Sequence, residues 1–291
     1  MNIAIHGKKI DQNSQGPLLQ LLGCLKEKEA SVIISETLLE SLQKTDVQVT
    51  DLGSFSSNKD LQDVDFIFSL GGDGTLLETV AYVGKLELPI VGINTGRLGF
   101  LATISKDMVT SAVEALYHNE FAYDHRTLVR VHSDQDIFNG INFGLNDFTI
   151  LKQDTSSMIT VHAYIDGEYL NSYWADGLIV ATPTGSTGYS LSCGGPVVLP
   201  QSDNFVITPV SPHNLTVRPL VVSDNSVISF EIEGRSKNFL VSLDTRSFTV
   251  EASIQMAVSK EEFQAKLVKL DGYNFLDTLR QKLNWGYDAR N

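Results

Sequence analysis

Cysteine is nearly absent from this 291-residue sequence: only Cys24 and Cys193 occur, far apart and in no CxxC pair. That excludes a disulfide framework and a thiolate zinc site, and makes a reducing, cytoplasmic setting the expectation. Basic charge is also short, with 22 Lys and Arg against 35 Asp and Glu and a formal net charge of −13. A polyanion needs a basic surface, so nucleic acid and anionic membranes are excluded as main partners. No run approaches the ~18 uninterrupted apolar residues of a membrane span. The start, Met1-Asn2-Ile3-Ala4-Ile5-His6, enters a strand-like segment and lacks a signal-peptide pattern. A small phosphorylated ligand survives all these exclusions. Local donors, backbone N–H groups and a magnesium ion hold it whatever the global charge.

What is present is an ordinary globular composition, 42% hydrophobic and 20% charged, over a length that suits one large or two medium domains. The first third alternates strand and helix patterns: strands at 2–6, 31–34, 64–69 and 89–94, helices at 17–28, 37–44 and 76–83. Such alternation predicts an α/β layer with a Rossmann-like parallel sheet. Near residue 125 the helix period gives way to short period-2 runs such as 160–165, 227–233 and 239–243. Asp166-Gly167 and Glu233-Gly234 separate such runs in the manner of hairpin turns. An all-β, sandwich-like domain is expected there. Helical spacing returns at 274–283, predicting a C-terminal helix that packs back on the first domain. The expected boundaries are 1–124, completed by 271–291, for the α/β domain and 125–270 for the β domain.

Gly71-Gly72-Asp73-Gly74-Thr75 falls between an apolar strand and a helix, where an α/β sheet places its ligands. Glycines let the backbone approach a phosphate, and the helix start offers free N–H groups. An aspartate would repel that phosphate. Its presence makes sense as a base for a hydroxyl nucleophile, as a magnesium ligand, or as both. A plain turn with Asp73 or Thr75 as N-cap would look similar. Average residue frequencies, however, give the full string by chance in roughly one of several thousand chains.

A second segment is richer still. Residues 182–196, Thr-Pro-Thr-Gly-Ser-Thr-Gly-Tyr-Ser-Leu-Ser-Cys-Gly-Gly-Pro, carry seven hydroxyls and four glycines directly after an apolar strand. Such a loop hydrogen-bonds sugar hydroxyls and phosphates without adding charge, and Tyr189 offers a ring to stack on a base. GGDGT resembles the loop shared by NAD kinases and lipid kinases, with a related GGDGS in phosphofructokinases. Residues 182–196 resemble the NAD kinase signature TPTGSTAYxxSAGGP, with Gly188 for the usual Ala and Cys193 for another. Further matches run in the family's order: Asn94 to Leu101 is similar to NxGxLGFL, and Asn146-Asp147 to the NE pair, one methylene shorter. Asp176-Gly177 matches a DG pair, Pro212-His213-Asn214-Leu215 with Arg218-Pro219 a PHxL..RP segment, and Ser242 to Arg246 a late strand in which many members carry Gln at the last position.

The resemblance implies phosphorylation of the 2′-hydroxyl of the adenosine ribose of NAD by ATP and magnesium, giving NADP. It implies Asp73 as catalytic base and Gly71, Gly72, Gly74 and Thr75 around the donor. Asn146 and Asp147 would hold sugar hydroxyls and Asp176 the nicotinamide side. Thr187, Gly188, Tyr189, Ser190, Leu191 and Ser192 would hold adenine and its ribose. Ser211 joins the binding set, and Arg97 and Arg246 are candidate phosphate contacts. No residue is assigned as a direct metal ligand; magnesium comes with ATP, near Asp73. A homo-oligomer, dimer or tetramer, is implied as well. Two other readings compete: a GGDGT kinase acting on a lipid, and an NAD-binding sensor without activity. The hydroxyl-rich loop speaks against the first and an intact Asp73 against the second.

Overall fold

The computed structural model describes residues 1–45, 52–153 and 157–285. Its elements group into two compact units, Met1–His125 with Ala265–Asn291, and Arg126–Gln264. The first begins with β1 (Asn2–His6), α1 (Gln12–Glu27), β2 (Ser31–Ser35), α2 (Glu36–Leu42), β3 (Gly53–Phe55), β4 (Phe66–Gly71), α3 (Asp73–Val83) and β5 (Ile90–Asn94). These strands pair in parallel in the order β3-β2-β1-β4-β5. The order therefore reverses between β1 and β4, the switch point at which open α/β sheets bind ligands. β4 is apolar along nearly its whole length and buried except at Gly71, as a central parallel strand covered on both faces must be. Spacing predicts the first helix from residue 17, but it starts at Gln12. Asp11 and Ser14 form a capping box there, and Pro17 sits inside the helix. β6 (Ile104–Ser105), α4 (Val109–His118) and β7 (Phe121–Arg126) complete this stretch.

Among its described residues the second unit is β apart from a 3-10 turn at Gly185–Thr187 and the four-residue α5. Its strands are β8 (Val129–Ser133), β9 (Phe143–Gly144), β10 (Asp147–Lys152), β11 (Ile159–Ile165), β12 (Glu168–Ala175), β13 (Gly177–Ala181), then α5 (Tyr189–Ser192), β14 (Asn204–Val210), β15 (Leu220–Ser223), β16 (Ile228–Glu233), β17 (Asn238–Leu243), β18 (Arg246–Glu251) and β19 (Met256–Lys260). They form two six-stranded sheets, β15-β14-β13-β10-β17-β18 and β12-β11-β16-β19-β8-β9. One core lies between the sheets, with Phe148 of β10 and Phe230 of β16 in ring contact at 5.8 Å. This is the sandwich expected from period-2 patterning.

Two details depart from the sequence-based expectation. Asp166-Gly167 does turn a hairpin, β11 to β12, but Glu233-Gly234 does not. β16 and β17 lie in different sheets, and Gly234 marks the crossover, where a Cβ would come within 3.1 Å of the Phe239 ring. The hairpin is one strand later, at Asp244-Thr245 between β17 and β18. In addition, residues 265–270 belong to the α/β unit. They form β20 (Ala265–Leu270), parallel to β5 at Leu267 opposite Ile90. Their run, Ala-Lys-Leu-Val-Lys-Leu, breaks strict alternation at Leu267-Val268, and its spacing does not reveal which kind of sheet it joins. α6 (Phe275–Leu283) follows, capped by Asn274, with the Phe275 ring 6.2 Å from that of Phe100.

Candidate active site

In the α/β unit the glycine loop is a tight strand-to-helix turn. Gly71 has no room for a side chain, because a Cβ would overlap Thr75. Thr75 is itself buried against this turn, its N–H donating to the Gly72 carbonyl at 3.0 Å. Gly72, the N-cap of α3, and Gly74 are exposed. Asp73 opens α3, and its carboxylate is held by three backbone amides. The Phe100 N–H donates to Oδ2 at 2.8 Å, and those of Leu101 and Ala102 donate to Oδ1 at 3.0 Å each. Oδ2 keeps a free acceptor site. Gly99 is required by the same contact, since a Cβ there would fall on the Asp73 carboxylate. The buried Asn94 shapes the intervening loop. Its Nδ2 donates to the carbonyls of Arg97 (2.8 Å) and Ala102 (3.3 Å), and its Oδ1 accepts from Gly96 at 2.8 Å. Arg97 extends from this loop, exposed.

In the β unit the Asn146-Asp147 pair leads into β10 and is fixed from two sides. Asp244, in the β17–β18 turn with a φ of 54°, accepts from the amides of Leu145 (2.8 Å), Asn146 (2.7 Å) and Asp147 (3.3 Å). From the other side Thr182 N–H donates to the Asn146 carbonyl at 2.8 Å and Thr182 Oγ1 to that of Leu145. Gly185 packs on the same backbone so closely that a Cβ would overlap the Asn146 carbonyl. Three residues on, a Cβ at Gly188 would lie 4.0 Å from Asp147 Oδ2. The hydroxyl-rich loop is thereby docked beside the Asn146-Asp147 pair.

Asp147 is 8% exposed, and burial, followed by the nearby Asp244 charge, pushes its carboxyl up to about 7. Burial raises Asp244 too, against the lowering pull of its backbone bonds and of Arg246. Tyr189 is exposed, and its phenol is raised by burial, then by Cys193, Asp176 and Asp147, which places those groups within its electrostatic reach. Asp176 pairs with Lys152 Nζ at 2.6 Å and its amide bonds the Val210 carbonyl, so the exposed Ser211, with a φ of 46°, is its neighbour. Thus Asn146, Asp147 and Gly188 lie at one end of the β13-β10 pair, where Asp147 faces Ala181, and Asp176 and Ser211 lie at the other end, beside Lys152, with Tyr189 in electrostatic reach of both carboxylates.

Other sequence-predicted residues have structural tasks. Ser190 is fully buried and shares a 2.8 Å hydrogen bond with Thr208. Thr187 Oγ1 donates to the Thr184 carbonyl at 3.2 Å; Leu191 is half-buried and Ser192 exposed. Arg246, expected to meet phosphate, donates both Nη atoms to the carbonyls of Ile141 and Phe143 and lies over the Phe138 ring. Its guanidinium, lowered by burial, braces the strand before Asn146. Trp174 is half-exposed and packs on the His213 ring, with centroids 4.2 Å apart. Sequence reasoning missed Gly99, the 100–102 amides and Asp244. The signal for Asp244 was an acidic residue in an Asp-Thr turn; backbone donors give none. Among the described residues no group of three or more His, Cys, Asp or Glu side chains is placed to hold a metal ion. No helix of the described residues is long and apolar enough to cross a membrane.

Comparison with known proteins places this geometry. The model of the ATP-NAD kinase N-terminal domain matches residues 10–121, and that of the ATP-NAD kinase C-terminal domain residues 145–270. An NAD kinase of Cytophaga hutchinsonii is 50% identical, with 100% of each chain covered. The crystal structure of an Archaeoglobus fulgidus NAD kinase in complex with ATP superposes with a TM-score of 0.75 at 28% identity, covering 98% of this chain and 99% of that one. The fold is also that of yeast NADH kinase complexed with NADH, with a TM-score of 0.88 at 23% identity over 99% and 88% of the two chains. The chain belongs to the NAD kinase family.

Proposed function

We infer that this chain phosphorylates NAD with ATP to give NADP, with Asp73 receiving the proton of the 2′-hydroxyl of the adenosine ribose. The observation that carries Asp73 is its setting: a carboxylate at the first residue of a helix, pinned by three amides, with one acceptor site on Oδ2 still open. Its base position is therefore set before substrate arrives, which is the main protein contribution to phosphoryl transfer. In the reaction the 2′-O–H bond breaks with its proton going to Oδ2, the ribose 2′-oxygen forms a bond to the γ-phosphorus, and the bond from the γ-phosphorus to the bridging oxygen breaks with its electrons leaving on ADP. The donor is the magnesium complex of ATP, whose ion neutralises the phosphate charge.

The exposed backbone at Gly72 and Gly74 and the Arg97 guanidinium face the donor phosphates. Asn146 and Asp147 hold ribose hydroxyls, Asp176 and Ser211 the nicotinamide side, and Thr187, Gly188, Tyr189, Leu191 and Ser192 the adenine and its sugar. Ser190, Thr75, Gly71 and Arg246 support these groups from behind. The working form is a cytoplasmic homo-oligomer, dimer or tetramer; this part rests on family membership alone.

The test is direct: purified protein with ATP, magnesium and NAD, and detection of NADP. Asp73→Asn is expected to lower turnover by at least ~10²-fold with little change in NAD affinity. Near-normal turnover in that variant would remove Asp73 from the role of base.

A further inference from the structure

Beside the glycine loop lies a side-chain cluster that the reaction above leaves unused. β1 and β4 are parallel neighbours, with His6 opposite Ser69, so the residues after His6 leave the sheet at the edge where the glycine loop does. Gly7 runs so near that a Cβ would lie 3.2 Å from the carbonyl oxygen of Leu70, the residue before that loop. Lys8 follows, with its side chain 45% exposed, and ion-pairs with Oε1 of Glu78 on α3. The other Glu78 oxygen is 3.5 Å from Nε2 of His6. His6 is buried; its Nδ1 shares a 2.9 Å hydrogen bond with Ser35 Oγ, and its ring rests 5.0 Å from that of Tyr82. Nε2 has no hydrogen-bond partner of normal length, so its interaction is with Glu78.

We propose that Lys8 binds the phosphate chain of the donor and that Ser35, His6 and Glu78 hold it in position. This rests on the reading of the chain as an ATP-dependent kinase. An exposed ion pair alone is worth little and leaves a lysine free to wander. Here the carboxylate is braced from behind by a buried imidazole, so the ammonium has a defined place at the sheet's switch point, where anions bind. A lysine ammonium has three donors. Glu78 takes one and two remain for phosphate oxygens. Protein kinases use a helix-borne glutamate in the same physical way, to aim a lysine at ATP phosphates. On a chain of net charge −13, a fixed cation at this edge offsets the repulsion that a polyphosphate would otherwise meet.

The experiment measures KM for ATP and for NAD in the wild type, Lys8→Ala, Lys8→Arg and Glu78→Gln. Alongside, calorimetry follows binding of magnesium ATP and of magnesium tripolyphosphate. Lys8→Ala is expected to raise KM for ATP about tenfold or more while KM for NAD moves less than about twofold, and to weaken both phosphate ligands. Glu78→Gln should shift ATP in the same direction by less, and Lys8→Arg should recover most of the loss. An ATP KM within about twofold of wild type in Lys8→Ala would overturn the proposal, as would an equal rise in both KM values. Loss of ATP binding with tripolyphosphate binding intact would also overturn it, since Lys8 would then meet the nucleoside. A wild type that makes no NADP sinks the kinase reading instead. In that case the calorimetry alone decides Lys8: weaker binding of both ligands supports the site and unchanged binding refutes it.

Discussion

Asp73 and Asp147 are carboxylates in opposite surroundings. The first accepts three amide hydrogen bonds at the surface of a turn. The second is buried beside Asp244 and titrates at about 7, above its ordinary 3.8. Between those values the folded chain holds a proton that the unfolded chain has released. Stability from this source is therefore full below about pH 4 and falls until about pH 7. The proton belongs to the Asp147–Asp244 pair rather than to either residue. Asp147→Asn removes one partner, so its melting temperature should fall less than that of the wild type between about pH 5 and pH 8. Parallel curves for the two proteins would show that Asp147 ionises freely in the fold. Of this pair only Asp147 was legible in the sequence, because a motif exposes residues at fixed spacing. Asp244 is remote in sequence and reaches the pair only through the β10–β17 pairing.

The hydroxyl-rich loop works as an element because five of its seven hydroxyls are hydrogen-bonded to the protein. Thr182, Thr184, Ser186, Thr187 and Ser190 are held in this way, which leaves Tyr189 and Ser192 for solvent or ligand. Composition announced this loop but could not divide its hydroxyls, since burial depends on strands that pair from elsewhere. Gly185 is the point of docking. Gly185→Ala should push the loop off Asn146, lowering the melting temperature and raising KM for NAD several-fold more than KM for ATP. Gly188→Ala meets only the Gly185 carbonyl at 3.3 Å and Asp147 at 4.0 Å, and should change each far less. Thermal melts with paired kinetics on the two variants check this. Equal effects would mean that the loop is not seated through Gly185. The glycine loop was more fully legible, because its strand, turn and helix are contiguous; what holds Asp73 there is a backbone segment, and amides carry no sequence signature.

At the scale of the molecule, the alternation of patterns along the chain separates two architectures, and the structure has two matching units. What spacing could not reveal is that the sheet of the first unit is finished by β20, which follows the whole β sandwich in sequence. A strand of six residues has the same period wherever it pairs. A chain ending at Gln264 lacks β20 and α6, leaves β5 without its partner at Ile90 and removes Phe275 from Phe100. It should lose the cooperative melting of the α/β unit. Residues 126–264, which contain their own core, should retain a β-type circular dichroism spectrum and a transition of their own. A truncated chain as stable as the full one would refute that account.

The late return of β20 also sets an order of events on the ribosome. When Asn94 emerges, β5 has β4 beside it and β6 soon pairs with its last two residues, but its partner at Ile90 appears only after the complete sandwich has been synthesised. The nascent α/β sheet therefore waits with part of one strand edge open while the inserted unit, which has its own core, folds ahead of the domain that began first.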